Sequence, residues 1–429
     1  MARGYQPAVA SRDAAPMRIL YLSQYFPPEM GAPAARVSEL AARWVERGHE
    51  VCVLTGFPNH PTGIVPVEYR GRILQRETWR GVEVLRTWIY AAPNKGVLAR
   101  SLAYASFAGS SVALGGLARE VRRADVVLAT SPQFLCALSG WTLARAWRVP
   151  YALEIRDLWP QSIVEVGALP ESHPMVAVLR RLERFVYREA DLLVGVTDSF
   201  ARIWRAQGID PAKIRVIKNG VDLQAFRPDV DGAKIRAELG LGDRFVVGYI
   251  GTIGMAHGLG TLLDVAERLR ARTDIVFALV GEGAEKAALA EQARARGLDS
   301  VRFVGELPRA RIPEVLAATD LAVVMLRDTP LFETVLPSKL FEIMGCARPL
   351  ALAVGGEARK LVEEAGAGYV VPPQDAAAMT DAILHAKANP AEARARPDAG
   401  RRFVEAHFDR RALADRYLDE LIALVGNAR

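Results

Sequence analysis

The chain has 429 residues, 51% of them hydrophobic and 24% charged, which is the balance of a packed globular protein long enough for two domains. This composition excludes a disordered, collagen-like or many-span membrane protein. The three cysteines, Cys52, Cys136 and Cys346, form no CxxC pair. Their spacing excludes a disulfide scaffold and a zinc ribbon, and it favours a reducing compartment.

The net charge of +6 is unevenly distributed along the chain. Residues 1–220 contain 28 basic and 19 acidic side chains, whereas residues 221–429 contain 27 and 30. A basic first half suits an anionic partner such as a phosphate, an anionic membrane surface or a nucleic acid. Most of the basic residues are arginine, so an arginine-rich coding bias explains the charge equally well.

The first 16 residues contain no apolar core segment, so they do not form a secretory signal. We expect a flexible leader over residues 1–16. Two uncharged stretches, 101–118 and 126–144, approach the length of a membrane span, but small residues dilute the first and a Ser-Pro-Gln run breaks the second. We therefore expect a cytoplasmic protein that is soluble or peripheral on the inner face of the cytoplasmic membrane.

Apolar β-branched runs alternate with Ala-, Leu- and Arg-rich helical stretches through the first half of the chain. The first strand, a helix over 34–47 and the second strand form a βαβ unit, which predicts a parallel sheet with right-handed crossovers. The predicted strands span residues 18–23, 51–55, 82–89, 126–130, 151–155, 192–196 and 214–217.

The same alternation restarts near residue 244. Helices are predicted over 260–270 and 285–296, and strands over 244–251, 275–281, 301–304, 321–325, 350–353 and 368–371. Two successive runs predict an α/β protein of two doubly wound Rossmann-like domains that face each other across a cleft. The predicted division is 17–218 for the first domain, 219–242 for the join, 243–400 for the second domain and 401–429 for a C-terminal helix that returns to the first domain or stays on the second.

Such a cleft suits a sugar transferase, a dinucleotide-dependent oxidoreductase or a two-lobed binding protein. A dinucleotide site would place G-x-G-x-x-G in the first βα loop, and that loop offers only Gly31 followed by Ala32. NAD binding in the first half is therefore disfavoured. The small residues Gly31 and Ala32 instead suit a helix N-terminus that opens toward the cleft, although a plain connecting loop would look the same.

Two further segments follow predicted strands at their carboxyl ends. Arg156 and Asp157 follow the strand at 151–155, where side chains reach a cleft, although a surface turn could hold the same pair. In the second half, Gly248, Gly251 and Gly254 recur every third residue, and small residues there expose backbone N–H groups to a phosphate. His257 lies in the same loop, and a single histidine without a partner motif favours a structural role over a catalytic one.

The run LFETVLPSKLFE over 331–342 predicts a helix that begins at Pro337-Ser338. Lys339 and Glu342 are three residues apart and share one face of its first turn. A lysine beside a helix N-terminus suits a diphosphate, and a carboxylate one turn later can accept hydrogen bonds from two ribose hydroxyls. An exposed Lys–Glu pair is the alternative.

Several segments, taken in order and spacing, resemble one enzyme family. They are MRILYLSQYFPPEMGAPAARVSELA from residue 17, RDLWPQS from 156, NGVD from 219, GYIGTIGMAHGLGTLL from 248, VGEG from 280, FVGELPRARIPEVLAATD from 303, PSKLFEIMGCARPL from 337 and GAGYVVPPQD from 366. The chain resembles family 4 glycosyltransferases of the GT-B fold. More narrowly, it resembles bacterial enzymes that build O-antigen, capsule or exopolysaccharide, in the fucosamine-transferase-like branch.

The resemblance implies that the second domain binds a nucleotide-sugar donor, expected to be UDP-linked, and that the first binds a lipid-linked saccharide acceptor. It implies retention at the anomeric carbon. We expect catalytic roles for Arg156, Asp157 and Lys339, and we expect no cofactor, no metal and no nucleic-acid partner. The implied donor contacts are Gly251, Thr252, Gly254, His257, Glu282, Leu307, Glu333, Ser338, Lys339 and Glu342.

The chain departs from the family pattern at two places. Glu342 matches the second glutamate of the E-x7-E motif that holds the ribose, but the first would fall at Thr334 and the nearest glutamate is Glu333. The Arg and Lys that relatives use for the diphosphate are absent near residues 251–258. We expect Lys339, backbone amides after Gly251 and assistance from His257 to replace them.

Two alternatives to a transferase stay open: a sugar-nucleotide epimerase of the same fold and a non-catalytic two-lobed sugar-binding protein. Asp229 and Asp231 form a D-x-D pair that could chelate a divalent ion, but they lie in the predicted join and away from any strand end, so we expect metal independence. The apolar segment 98–123 ends in arginines and predicts binding to an anionic membrane surface, with a buried packing helix as the alternative.

Overall fold

The structure, a computed structural model, describes residues 15–29, 31–60, 62–92, 97–131, 133–165, 167 and 169–428. The predicted leader therefore lies outside the described residues except for Ala15 and Pro16. Within the described residues, the alternating pattern forms two sheets joined by a short connection, and the prediction of two doubly wound α/β units is confirmed.

The first sheet has eight strands in the order β3-β4-β2-β1-β5-β6-β7-β8. Its strands pair in parallel except for β3 and β4, which are antiparallel. Strand β3 was not predicted, because its sequence LQRETW is largely polar and it lies at the sheet edge. The strands are β1 (Arg18–Leu22), β2 (Glu50–Gly56), β3 (Leu74–Trp79), β4 (Val82–Thr87), β5 (Val126–Thr130), β6 (Tyr151–Ile155), β7 (Leu192–Gly195) and β8 (Ile214–Val216).

Seven α-helices belong to the described part of this first half. The longest carry apolar faces that bury residues such as Trp44 in the first of them and Phe107 in the second. A π-helical turn, Ser111–Gly115, follows the second helix. The helices are α1 (Ala32–Glu46), α2 (Val97–Ser110), α3 (Arg119–Arg122), α4 (Leu135–Trp147), α5 (Gln161–Glu165), α6 (Pro174–Glu189) and α7 (Asp198–Ala206).

The second sheet has six strands, all parallel, in the order β11-β10-β9-β12-β13-β14. The reversal of strand order beside β9 places a topological switch point there, where ligands bind in such sheets. The strands are β9 (Phe245–Ile250), β10 (Ile275–Val280), β11 (Val301–Gly305), β12 (Leu321–Met325), β13 (Leu350–Ala353) and β14 (Tyr369–Val370). The helices are α8 (Ala233–Glu238), α9 (Gly260–Arg268), α10 (Lys286–Ala295), α11 (Ile312–Ala317), α12 (Ser338–Gly345), α13 (Gly356–Ala365) and α14 (Ala376–Ala388).

The C-terminal segment forms two helices, α15 (Pro390–His407) and α16 (Arg410–Ala428), where one was predicted over 401–429. The chain breaks at Phe408 because its carbonyl accepts a hydrogen bond from the Val221 amide at 3.0 Å, and Arg410 N donates back to Val221 O. These backbone groups pair with the join instead of continuing the helix. Helix α16 packs on α1, where Trp44 Nε1 donates to Ala414 O at 2.9 Å.

The two uncharged stretches of the sequence fold into short elements. Residues 101–118 contain most of α2 and the π-helical turn, and residues 126–144 contain β5 and much of α4. In the part of the chain that the structure describes, no helix is both long and apolar enough to cross a bilayer.

Candidate functional site

A small cavity of about 40 Å³ lies between the two halves, beyond the carboxyl ends of their parallel strands. Its first-half wall includes Ala32 and Arg156, and its second-half wall includes Ser338 and Glu342. Four residues that the sequence singled out separately therefore line one space. Gly31, which precedes Ala32 at the start of α1, has φ +121, a conformation that favours glycine.

Glu342 is buried on α12, and its carboxylate is paired in this structure. Its Oε1 accepts a hydrogen bond from Arg309 Nη2 at 2.8 Å, and the guanidinium lies 5.6 Å from the centroid of the Phe226 ring. Arg309 was not predicted as a site residue, although it lies between a strand and a helix in one of the family-like segments. A ribose could replace Arg309 as the partner of this carboxylate.

Lys339, one residue into α12, extends toward the end of β9. Its Nζ is buried and has no hydrogen-bond partner among the described residues. The ammonium lies 4.0 Å from the centroid of the Tyr249 ring. A Cβ on Gly251 would come within 2.5 Å of the same Nζ, so the absence of a side chain at Gly251 gives the lysine its space. Burial lowers the pKa of Lys339 to about 7.

His257 lies beside this lysine in a 3-10 turn, Met255–His257. Its ring packs edge-on against Tyr249 with centroids 5.8 Å apart, and its Nδ1 lies 3.4 Å from Met325 O. Burial, reinforced by the charge of Lys339, lowers the pKa of His257 to about 3. The imidazole is therefore neutral at physiological pH, so one of its ring nitrogens donates a hydrogen bond and the other can accept one.

The loops that follow β9, β10 and β11 pack closely together. A Cβ on Gly281 would come within 2.0 Å of Gly251 O, so the β9 and β10 loops touch through backbone alone. The amides of Gly251 and Ile253 already donate to Val280 O and Glu282 O, both at 2.9 Å. These two amides are therefore already hydrogen-bonded within the protein. A contact between the diphosphate and backbone amides after Gly251 would have to use other N–H groups of this loop.

The remaining predicted donor residues of these loops differ in exposure. Thr252 is exposed, and its carbonyl accepts a hydrogen bond from Tyr249 Oη at 2.6 Å. Glu282 is exposed and pairs with Lys286, while Gly254 is half-buried where the turn containing His257 begins. Leu307 is half-buried, and its side chain packs against a small apolar cluster.

Glu333 lies on a 3-10 turn, Phe332–Thr334, with its side chain exposed. Its carbonyl oxygen faces the start of α13 so closely that a Cβ on Gly356 would come within 2.0 Å. Thr334, where the family motif would have its first glutamate, donates from Oγ1 to Leu331 O at 2.6 Å. The position of Glu333 is thus set by α13.

Arg156 and Asp157 follow β6 at its carboxyl end. Arg156 donates to Ala32 O at 3.1 Å and to Pro33 O at 3.3 Å, so it fixes the entrance of α1, while its buried Nε has no partner among the described residues. Asp157 retains exposed surface. Partial loss of solvent around the carboxyl raises its pKa, and the charge of the neighbouring Arg156 opposes that rise.

Beneath this part of the cleft lies a buried ion pair that sequence analysis missed. Arg36 on α1 donates to Glu154 Oε1 at 2.7 and 2.9 Å and to Ile217 O at 3.0 Å, and Thr130 Oγ1 donates to Glu154 Oε2 at 2.8 Å. Burial alone would raise the pKa of Glu154, but the Arg36 guanidinium holds it below its usual value. The pair joins α1 and β6 to the residue that follows β8.

The two aspartates of the D-x-D pair are engaged in the join. Asp229 lies 3.2 Å from the Arg227 guanidinium, and Asp231 Oδ1 accepts a hydrogen bond from Ala233 N at the start of α8. Across the described ranges, no three His, Cys, Asp or Glu side chains come together as metal ligands would.

Residues 31–220 match the model of the glycosyl transferase 4-like domain, and residues 244–389 match that of glycosyl transferases group 1. The chain belongs to the family 4 glycosyltransferases of the GT-B fold. Membership makes it a transferase, and so favours that class over the epimerase and the binding protein. The narrower fucosamine-transferase-like branch stays a prediction.

Individual relatives agree with this assignment. The probable glycosyltransferase WbjE of Pseudomonas aeruginosa is 28% identical over 62% of this chain and 67% of its own length. The putative colanic acid biosynthesis glycosyl transferase WcaI of Escherichia coli K12 is 27% identical over 80% of this chain and 82% of its own. The structure of Anabaena HepE in complex with UDP and glucose shares the fold, with a TM-score of 0.72, 20% identity and coverage of 94% and 99% of the two chains.

Proposed function

We propose that this glycosyltransferase moves a sugar from a UDP-linked donor to a lipid-linked saccharide acceptor during synthesis of a cell-surface polysaccharide. The observation that carries the donor assignment is the buried ammonium of Lys339, which has no hydrogen-bond partner among the described residues and lies at the end of β9. Such a cation is costly to bury unless an anion completes its surroundings, and a diphosphate supplies that anion.

Glu342 supports the nucleotide half of the donor. It lies three residues after Lys339 on the same short helix, and its carboxylate is buried at the interdomain cavity. In the complex, ribose hydroxyls would donate to this carboxylate in place of Arg309. The colanic acid relative and the UDP-bound HepE structure support the choice of polysaccharide synthesis and of UDP.

In the transfer reaction the main contribution of the protein is electrostatic stabilisation of the departing diphosphate. The acceptor hydroxyl oxygen forms a bond to the anomeric carbon, and the bond from that carbon to the donor phosphate oxygen breaks. The electron pair leaves with the UDP diphosphate, where Lys339 stabilises the growing charge. The hydroxyl proton passes to Asp157 or to the departing phosphate. We infer retention at the anomeric carbon from the family alone.

The first half would hold the acceptor beside an anionic membrane surface. Segment 98–123 buries one face, including Ala103 and Phe107, and exposes Leu102 by 48% and Leu117 by 77%. Arg119, Arg122 and Arg123 are exposed at its end. Apolar insertion by the two leucines and attraction of the arginines to anionic lipid would act together.

A screen of nucleotide sugars by thermal unfolding tests the proposed donor. A ligand that binds only the folded state raises the melting temperature, so UDP-linked sugars should raise it more than GDP- or dTDP-linked sugars. A rise with GDP-linked sugars alone would overturn the choice of UDP, and no rise with any of them would overturn the donor site. Incubation of the selected donor with and without lipid-linked saccharide then separates transfer from epimerisation, because an epimerase forms the epimer without any acceptor, whereas transfer requires the acceptor.

A further inference from the structure

Glu357 makes a contact between the two domains that neither the sequence motifs nor the proposed donor site use. It lies in the first turn of α13, in the second domain, and its carboxylate reaches the start of α7 in the first. Its Oε1 accepts a hydrogen bond from Asp198 N at 3.0 Å. Its Oε2 accepts from Ser199 N at 2.8 Å and from Ser199 Oγ at 2.6 Å. The side chain is 10% exposed.

The start of α7 has N–H groups that can bind this carboxylate. The first N–H groups of a helix have no partner within it, and the helix dipole favours an anion there. Thr197 satisfies the Phe200 amide at 3.2 Å, and Glu357 satisfies the two earlier amides that Thr197 leaves. Lys218, at the end of the first domain, places its Nζ 3.6 Å from Glu357 Oε1.

The same contact is rigidly connected to a candidate donor residue. Gly356 precedes Glu357 with φ +59, and a Cβ there would come within 2.0 Å of Glu333 O. The turn that carries Glu333 and the first turn of α13 therefore move together. Docking Glu357 on α7 sets the position of the Glu333 turn relative to the acceptor domain.

The space around the interdomain cavity bears on whether this contact is permanent. The interdomain cavity beside Glu342 has about 40 Å³ of free volume, which is enough for a few water molecules and far too small for a nucleotide sugar. Separation of the domains would enlarge this space for the donor, and closure would exclude water during transfer.

We infer that Glu357 is a positioning residue that fastens the two domains in the closed arrangement needed for transfer. This inference rests on the proposed function for its effect on turnover. Its effect on domain closure is independent of the donor's identity. The carboxylate is released when the domains open and returns to the α7 amides when they close, so that its hydrogen bonds bias the equilibrium toward the closed state.

The test compares Glu357→Gln with wild type by small-angle X-ray scattering and by steady-state kinetics. Glutamine keeps the size of the side chain but loses its charge and presents an N–H₂ group where the second acceptor oxygen stood. We expect a larger radius of gyration without ligand, and a fall in kcat of roughly fivefold or more, since hydrogen bonds to a charged group are lost. KM for the donor should stay level or fall, because the open state that admits donor is more populated.

Two further variants complete the design. Ser199→Ala removes the hydroxyl that donates one of the three hydrogen bonds to Glu357. It should raise the radius of gyration and lower kcat, each by less than Glu357→Gln does. Asp415→Asn is the matched control, because Asp415 pairs with Arg43 at 2.6 Å between α16 and α1, away from α7 and α13. It should lower the melting temperature without changing the radius of gyration or the ratio of kcat to KM.

An unchanged radius of gyration in Glu357→Gln would overturn the inference, and so would unchanged kcat in a variant that does expand. If Glu357→Gln expands but the wild type transfers sugar from no nucleotide donor, the domain-closing role of Glu357 would be supported and the proposed function would be contradicted. A fall in kcat that is matched by Asp415→Asn would mark the effect as general destabilisation and overturn the positioning role.

Discussion

The Lys339 ammonium lies 4.0 Å from the centroid of the Tyr249 ring, and among the described residues no hydrogen-bond acceptor reaches it. The aromatic face offers partial compensation for a buried cation but does not replace a hydrogen bond. An ordinary exposed lysine would lie in water instead. This pairing of a buried cation with a neutral ring makes the end of β9 ready to receive an anion.

UDP binding should take up a proton above neutral pH. The pKa of Lys339 is lowered to about 7 in the free protein, and a diphosphate beside the amine would raise it. Above pH 7 the free amine is mostly neutral, so the complex binds more protons than the free protein. The affinity for UDP should therefore fall as pH rises from 7 toward the higher pKa of the complex. Calorimetry at pH 8 in two buffers of different ionisation enthalpy measures this uptake.

Lys339→Arg is the control for the proton uptake, because a guanidinium stays charged and cannot titrate in this range. It should bind UDP with equal apparent enthalpy in both buffers. Equal enthalpies for the wild type would contradict the assignment of Lys339 to the diphosphate. Lys339→Ala should lower turnover strongly, because it removes charge stabilisation that grows in the transition state.

The strand pattern was predictable because β-branched runs mark buried parallel strands and their carboxyl ends mark candidate ligand positions. That reasoning reached Arg156, whereas the helix start at Pro337-Ser338 and the spacing of Lys339 and Glu342 pointed to α12. Arg156, Ser338 and Glu342 line one cavity. Neither pattern pointed to Arg309, because nothing local ties this residue to a carboxylate 33 positions later.

Other features depend on contacts between distant parts of the chain. The break between α15 and α16 arises from hydrogen bonds with Val221, and the Glu357 contact with Ser199 joins residues 158 positions apart. Local sequence around Phe408 and Glu357 reads as ordinary helix. Only the assembled domains create the donors and acceptors that give these residues their roles.

The buried Arg36–Glu154 pair should be important for stability. Glu154→Gln leaves the guanidinium without its charged partner, and breaking a buried pair costs about 3–5 kcal/mol in the free energy of unfolding. Urea denaturation followed by circular dichroism measures this difference. The control is Glu363→Gln, in which an exposed pair with Arg359 on α13 is lost at a cost of about 0.2–1 kcal/mol.

The same pair predicts the direction of acid sensitivity. The pKa of Glu154 is lower in the folded protein than in the unfolded chain, so its contribution to stability is present above the unfolded carboxyl pKa. It is lost as pH falls through the folded pKa. Between pH 6 and pH 3 the wild type should lose stability more steeply than Glu154→Gln, and parallel pH profiles for the two proteins would contradict this.

Activity should survive EDTA. Asp229 pairs with Arg227, and Asp231 accepts a hydrogen bond at the start of α8, so both aspartates already have partners in the join. The double variant Asp229→Ala, Asp231→Ala should transfer sugar at nearly the wild-type rate. Loss of turnover in EDTA that Mg²⁺ or Mn²⁺ restores would show that a metal ion acts on the donor and would overturn this expectation.

Vesicle flotation tests the proposed membrane surface. The wild type should float with anionic liposomes more than with neutral ones, and Leu102→Asp with Leu117→Asp should reduce flotation by removing the apolar contacts. Val178→Asp on α6 is the matched control, because Val178 is 50% exposed and lies outside segment 98–123. No flotation of the wild type with either liposome would end the membrane proposal.

Calorimetric titration of UDP into the wild type and Glu342→Gln tests the central claim, that the cleft residues of α12 hold the donor nucleotide. Loss of a charged hydrogen-bond acceptor costs about 1.5–3 kcal/mol, so the Kd should rise roughly 10- to 100-fold. The melting temperature of the ligand-free variant should fall less than that of Glu154→Gln, because Arg309 is 40% exposed and water can solvate it when the carboxylate is lost. Comparing this fall with the change in Kd separates folding from binding. A UDP Kd in Glu342→Gln equal to that of the wild type would contradict the placement of the donor in this cleft.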